Sequence, residues 1–130
     1  MHTSSTSRKV IIVEGKTDKA RILRVIREDV EVVCTKGTLS YERVENEIVP
    51  LQQDDVYILV DADSAGNRLR KQIKQELPNA RDLYTRKSYG EVARTPLEYL
   101  AKIFSDAHFD IDDSLLAKHQ RSSYPASKDL

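Results

Sequence analysis

Two short stretches of this chain place acids at spacings that could do chemistry on phosphates. The first is Glu14-Gly15-Lys16-Thr17-Asp18, and the second is Asp61-Ala62-Asp63-Ser64-Ala65-Gly66. Asp61 and Asp63 stand two residues apart, so both carboxylates could converge on one point beyond the apolar run that ends just before them. Glu14, Asp61 and Asp63 gathered together would repel strongly unless a hard cation neutralised them. Oxygen donors of this kind suit Mg²⁺ or Mn²⁺, with water and substrate phosphate filling the remaining positions. Zinc is not suggested, because Cys34 is the only cysteine and His2, His108 and His119 are scattered. Each acid also has an ordinary explanation, since aspartates end strands and cap helices. On that reading Ser64 caps the helix it opens, and Asp18 complements a helix dipole in its first turn.

The elements that must position these acids are legible in the hydrophobic pattern. KVIIV at Lys9–Val13, EVVCT at 31–35 and VYILV at 56–60 are short, continuous apolar runs, the signature of strands covered on both faces. Residues 80–85 make a plausible fourth strand. Between them, residues 16–28, 40–51 and 64–77 carry apolar side chains at helical spacing. Thr95-Pro96-Leu97-Glu98 matches a capping box with proline at the first helical position, opening a helix through Phe104. Strands alternating with helices imply βαβ units and a parallel sheet. Ligands of such sheets bind beyond the carboxyl ends of the strands, at the crevice where strand order reverses. The runs carrying the acidic motifs are expected to be central neighbours, with Glu14 within about 10 Å of Asp61 if they share one cation.

Glu14-Gly15-x-x-Asp18 after one strand, followed by Asp61-x-Asp63-x-x-Gly66 after another, resembles the TOPRIM domain. That family includes topoisomerases, bacterial primases, recombination-repair proteins, overcoming-lysogenization-defect nucleases and the ribonuclease that matures 5S ribosomal RNA. The resemblance runs from about Lys9 to Phe104. It implies an α/β fold, a Rossmann-like three-layer sandwich with about four parallel central strands and helices on both faces. It also implies that Glu14 acts as general acid or base, or as a metal ligand, while Asp61 and Asp63 hold Mg²⁺. Gly15 and Gly66 are expected to let the backbone turn sharply near the phosphates. The chain has room for neither the catalytic-tyrosine domain of a topoisomerase nor the template-binding parts of a primase. It is most similar to the single-domain small TOPRIM proteins and to the maturation ribonuclease.

The expected organisation is a flexible terminus at 1–7, the TOPRIM domain at 8–108 and a partly flexible extension at 109–130. A short helix is expected near 114–119. Lysines plus arginines number 21, equal to aspartates plus glutamates, so any case for a polyanionic partner must be local. Lys16, at a helix start beside the first motif, is the cation most expected near a phosphate. Arg68, Arg70, Lys71, Lys74, Arg81, Arg86, Lys87 and Arg94 outnumber the acids between Gly66 and Arg94. They are either a solvated helix face or a phosphate-tracking surface beside the acids. Tyr84, Tyr89 and Tyr99 could stack on bases or fill the core. No run approaches the roughly 20 apolar residues that cross a bilayer. The lone cysteine and polar start point to a reducing cytoplasm.

Three readings follow. The first is a small Mg²⁺-dependent nuclease. The second is a non-catalytic module that binds nucleic acid or nucleotides alongside a partner protein. A third takes Asp61-x-Asp63 as a haloacid-dehalogenase nucleophile motif, although that motif normally opens the first strand and needs a long segment after it. DNA and RNA are both open as substrates. A homodimer or a partner protein would extend the surface with which so small a domain grips nucleic acid.

Overall fold

The computed structural model describes residues 7–86 and 88–117. Lys87 and residues 118–130, with the far end of the expected 114–119 helix, lie outside the described residues, as do residues 1–6.

Four parallel strands form one sheet in the order β2-β1-β3-β4: β1 Lys9–Val13, β2 Glu31–Cys34, β3 Asp55–Leu59 and β4 Arg81–Leu83. The two most apolar runs are the central pair, as expected, with Val10 opposite Val56 and Ile12 opposite Ile58. Alternation within each strand splits the core into two layers. Ile11, Val13, Tyr57 and Leu59 face one layer, shared with Ile22, Val25, Leu100 and Phe104. Val10, Ile12, Val56, Ile58 and Val60 face the other, shared with Val44, Ile48, Leu69 and Ile73. Helices α1 (Lys16–Val25) and α4 (Leu97–Asp106) therefore cover one face. The segment around α2 (Tyr41–Arg43) and helix α3 (Ser64–Glu76) cover the other. The chain runs from β1 to one side to reach β2, then crosses back past β1 to reach β3 on its other side. The reversal of strand order thus falls between the two strands that end in acids.

Several local expectations are revised. The 40–51 helix begins as α2, capped by the Ser40 hydroxyl accepting from the Arg43 N–H at 3.1 Å, then widens into a π-helix over Val44–Ile48 and tightens into a 3₁₀ turn over Val49–Leu51. Pro50 supplies the reason: it donates no hydrogen bond, and its ring would strike the carbonyl four residues earlier in a regular α-helix. The helix expected to reach residue 28 stops at Val25. Ile26 instead pairs with Ile111 in an antiparallel bridge, and the Asp112 N–H donates to the Val25 carbonyl at 2.9 Å. Phe109 and Ile111 are buried, so the core runs past His108. The Thr95 capping box does not form. The fully buried Thr95 turns its hydroxyl back to the Glu91 carbonyl at 3.0 Å, and Pro96 takes the N-cap position with no side-chain cap.

Candidate functional site

The acids meet at the carboxyl edge through backbone hydrogen bonds rather than by carboxylate contact. Glu14 leaves the end of β1, and its Oε1 accepts from the Asp61 N–H at 2.8 Å. Asp61 leaves the end of β3, and its Oδ1 accepts from the Val92 N–H at 2.9 Å. The Ala62 N–H donates to the Gly90 carbonyl at 2.8 Å, so residues 90–92 lie along the second acidic motif. Asp63 Oδ1 accepts from the Gly66 N–H at 2.7 Å. The cap of α3 is therefore Asp63, not Ser64, because the extended residue before the helix is the one whose side chain reaches the free N–H groups. Asp18 is buried, and its Oδ2 accepts from the Gly15 N–H at 3.1 Å, closing the turn that launches α1.

Proton affinities register the crowding. Burial raises the Glu14 carboxyl above the ordinary range. The Asp61 N–H opposes that shift, and the charges of Asp61, Asp63 and Asp18 add to it. Asp18 is raised in the same direction, mainly by burial; its bond to Gly15 and the Arg21 charge act against the shift, while Asp61 and Glu91 reinforce it. Glu91 is a member of this neighbourhood that the sequence reading did not single out. The signal available was Gly90, whose φ of +73° turns the chain back toward the acids, a conformation glycine adopts freely.

Folded Glu14 and Asp18 thus hold protons more tightly than the unfolded chain does. Their contribution to stability is full below the unfolded carboxyl values and is lost as pH rises through the raised folded values. Glu14→Gln, which keeps an acceptor for the Asp61 N–H, should raise the melting temperature at pH 7 without divalent cation by a few degrees. That gain should vanish below about pH 4. Thermal melts across pH check it, and equal midpoints at neutral pH would contradict it.

The glycines act differently from expectation. Gly15 is extended, with φ −128°, and a Cβ there would meet only Asp18 Oδ2 at an ordinary 3.6 Å. Gly66 is helical and buried, and a Cβ would collide with the Asp61 carbonyl oxygen. Close approach, not a sharp turn, is what requires glycine at Gly66.

The basic residues separate into two groups. Lys16 and Arg68 are exposed and form no ion pair among the described residues. Arg70, 8% exposed, donates to the Ile58 and Leu83 carbonyls and to Asp82, and its guanidinium lies 4.2 Å from the centre of the Tyr84 ring. Lys74 pairs with the same Asp82 at 3.0 Å. Burial would raise the Asp82 carboxyl, but the bonds from Lys74 and Arg70 outweigh it and hold the group below the usual range. Arg70 is thus a structural cation held by two strand carbonyls and Asp82, rather than the free phosphate ligand expected from the sequence. Asp82→Asn should cost about 2–3 kcal/mol, because it leaves a buried guanidinium without its counter-charge. Denaturant unfolding measures this, and a loss below about 0.5 kcal/mol would mean that the carbonyls alone satisfy Arg70.

Among the described residues no three His, Cys, Asp or Glu side chains form a ready-made metal cage. The donors nevertheless suit a hard cation. Each of Glu14, Asp61 and Asp63 has one oxygen held by a backbone N–H and a second that accepts no hydrogen bond from the described residues. No helix among the described residues is long and apolar enough to cross a membrane.

Comparison with known proteins agrees with this architecture. An uncharacterized protein of Bacillus subtilis, YusF, is 42% identical over 113 residues, covering 87% of this chain and 77% of that protein. Ribonuclease M5 of Mycoplasma pneumoniae is 38% identical over 69 residues, which is 52% of this chain but 38% of the enzyme. The enzyme of the same name from Fusobacterium nucleatum is 28% identical over 116 residues, 83% of this chain and 62% of its own length. The solved structure of a small TOPRIM domain protein from Bacillus stearothermophilus superposes with a TM-score of 0.79 at 44% identity, covering 85% of this chain and 93% of that one. The model of the Toprim domain matches residues 9–94, a span that contains both acidic motifs and the parallel sheet holding them, and the chain belongs to that family.

Proposed function

We propose that this chain is a small nuclease that hydrolyses nucleic-acid phosphodiesters with a divalent cation, Mg²⁺ or Mn²⁺. The observation that carries the reading is the Glu14 carboxyl. It is bonded to the backbone of Asp61, raised in proton affinity by burial, and flanked by Asp61, Asp63 and Asp18 at the switch point of the sheet. The family relation and the similarity to ribonuclease M5 support the same direction.

Asp61 and Asp63 would hold the ion through the oxygens left free by Val92 and Gly66, with water and substrate phosphate supplying the rest, as is usual for Mg²⁺. The bound cation supplies positive charge against the negative charge that develops on the phosphate. Glu14, whose raised affinity brings it nearer to the working pH than an ordinary carboxylate, exchanges a proton with the attacking water or the leaving oxygen. Lys16 and Arg68 steer the polyanion toward an edge that would otherwise repel it.

A second reading, a nucleic-acid-binding module working with a partner protein, is favoured by one specific fact. The Mycoplasma pneumoniae ribonuclease is matched over 38% of its length, so most of that enzyme has no counterpart in the alignment. Incubating labelled DNA and RNA with the protein in Mg²⁺ or Mn²⁺, and again with chelator, separates the two. The nuclease reading expects products only with cation, and binding without any product would favour the module.

A further inference from the structure

Beside the acidic edge, on the α3 face of the sheet, lies a cavity of about 400 Å³. Glu14 forms one wall, the loop between β2 and α2 contributes Thr38 at the rim, and α3 supplies Arg68, Leu69, Lys71 and Gln72. The rim is tied to the helix, because the Gln72 side-chain amide donates to the Leu39 carbonyl at 2.7 Å. Leu69 is buried beneath the space and gives it an apolar floor.

The charges on α3 divide in a way that points to a ligand. Arg70 and Lys74 are consumed by Asp82 on one side of the helix. Arg68 and Lys71, three residues apart and so neighbours on the surface, are exposed in the cavity wall. Neither has an ion-pair or hydrogen-bond partner among the described residues. Two unneutralised cations, an apolar floor, a side-chain amide and an acid on the far wall are the chemical complement of one nucleotide. The volume lies within the roughly 300–1,000 Å³ that small ligands occupy, and a base enters a recess of this kind by leaving its stack.

We propose that this cavity receives one unstacked nucleotide of a single-stranded nucleic acid, adjoining the phosphate that reaches Glu14. The base would rest on Leu69, and Arg68 with Lys71 would take its phosphates. The inference rests on the function proposed above and adds where the substrate lies and which form of it fits. A duplex must open, or be single-stranded already, before its backbone reaches the acids.

Backbone amide NMR of the full chain, titrated with thymidine or uridine monophosphate and separately with inorganic phosphate, tests the site directly. The nucleotide should shift residues 37–38 and 68–72 saturably, and phosphate alone should shift only the surroundings of Arg68 and Lys71. Fluorescence anisotropy then compares labelled single-stranded and duplex oligonucleotides. Thr38→Leu, which fills the mouth without offering a ring for stacking, should weaken single-strand binding about tenfold and leave duplex binding unchanged. Lys71→Glu should weaken single-strand binding and reduce its salt dependence. The proposal is overturned if phosphate reproduces every nucleotide shift, if the shifts lie elsewhere, or if Thr38→Leu with an unchanged melting temperature binds single strands as tightly as the parent. In those cases cation-dependent cleavage by the parent would keep the proposed function standing. Failure of the parent to bind any nucleic acid at low salt would remove both.

Discussion

Glu14→Gln should reduce cation-dependent cleavage by about 10²–10⁴-fold while leaving nucleic-acid affinity almost unchanged. Glutamine keeps the length of the side chain and can still accept the Asp61 N–H bond, so the geometry at the end of β1 survives. What it cannot do is exchange a proton, and it is the proton affinity of Glu14 that burial and three neighbouring acids raise. The same substitution should stabilise the fold at neutral pH without cation, so lost activity cannot be ascribed to unfolding. Single-turnover cleavage, paired with anisotropy on the same oligonucleotide, checks both halves. Cleavage within a factor of about three of the parent would remove Glu14 from proton transfer.

Gly66→Ala is expected to damage stability and activity together, against the ordinary preference for alanine in helices. Alanine normally favours a helix over glycine by about 1 kcal/mol. Here a Cβ would collide with the Asp61 carbonyl oxygen, lie 3.1 Å from the Asp61 carbonyl carbon and 3.3 Å from Asp63 Oδ1. Relieving that overlap must move the backbone that bears Asp61, its N–H bond to Glu14 and the cap on α3. A net loss of about 1–3 kcal/mol is expected, with cleavage falling further than the folded fraction accounts for. Denaturant unfolding gives the first quantity, and cleavage measured well below the melting temperature gives the second. A stabilised Gly66→Ala would mean that the approach of α3 to Asp61 is looser than described.

The layer architecture was legible because β1 and β3 bury both faces, which leaves an unbroken apolar run, and because α3 repeats its apolar residues every fourth position. The pairing of those two strands followed from the same runs. Local terminations were harder to read. Ser64 and Asp63 are both good caps, and only the extended backbone at Asp63 decides between them. Thr95 carries the letters of a capping box, but the loop it belongs to claims its hydroxyl through Glu91. Arg70 looked like its exposed neighbours until Asp82 and two carbonyls, one of them in β3, drew it inward. Glu91 and Val92 reach the acids only because Gly90 folds the chain back beside Ala62, a long-range contact that no local spacing encodes. Phe109 and Ile111 fall in the expected extension, yet Ile111 pairs with Ile26 at the end of α1 and Phe109 packs on Tyr57 and Phe104, so both belong to the core.

A divalent cation should bind where Asp61 and Asp63 leave oxygens free beside Glu14. Titrating the ¹⁵N-labelled chain with Mn²⁺, whose unpaired electrons broaden nearby amide signals, measures this most directly. The amides of Asp61, Gly66 and Val92, which bond the three carboxylates, should broaden first. Excess Mg²⁺ should restore them, and a variant carrying Asp61→Asn with Asp63→Asn should show no such selective loss. Broadening that begins elsewhere, or that persists unchanged at those amides in the double variant, would contradict the claim.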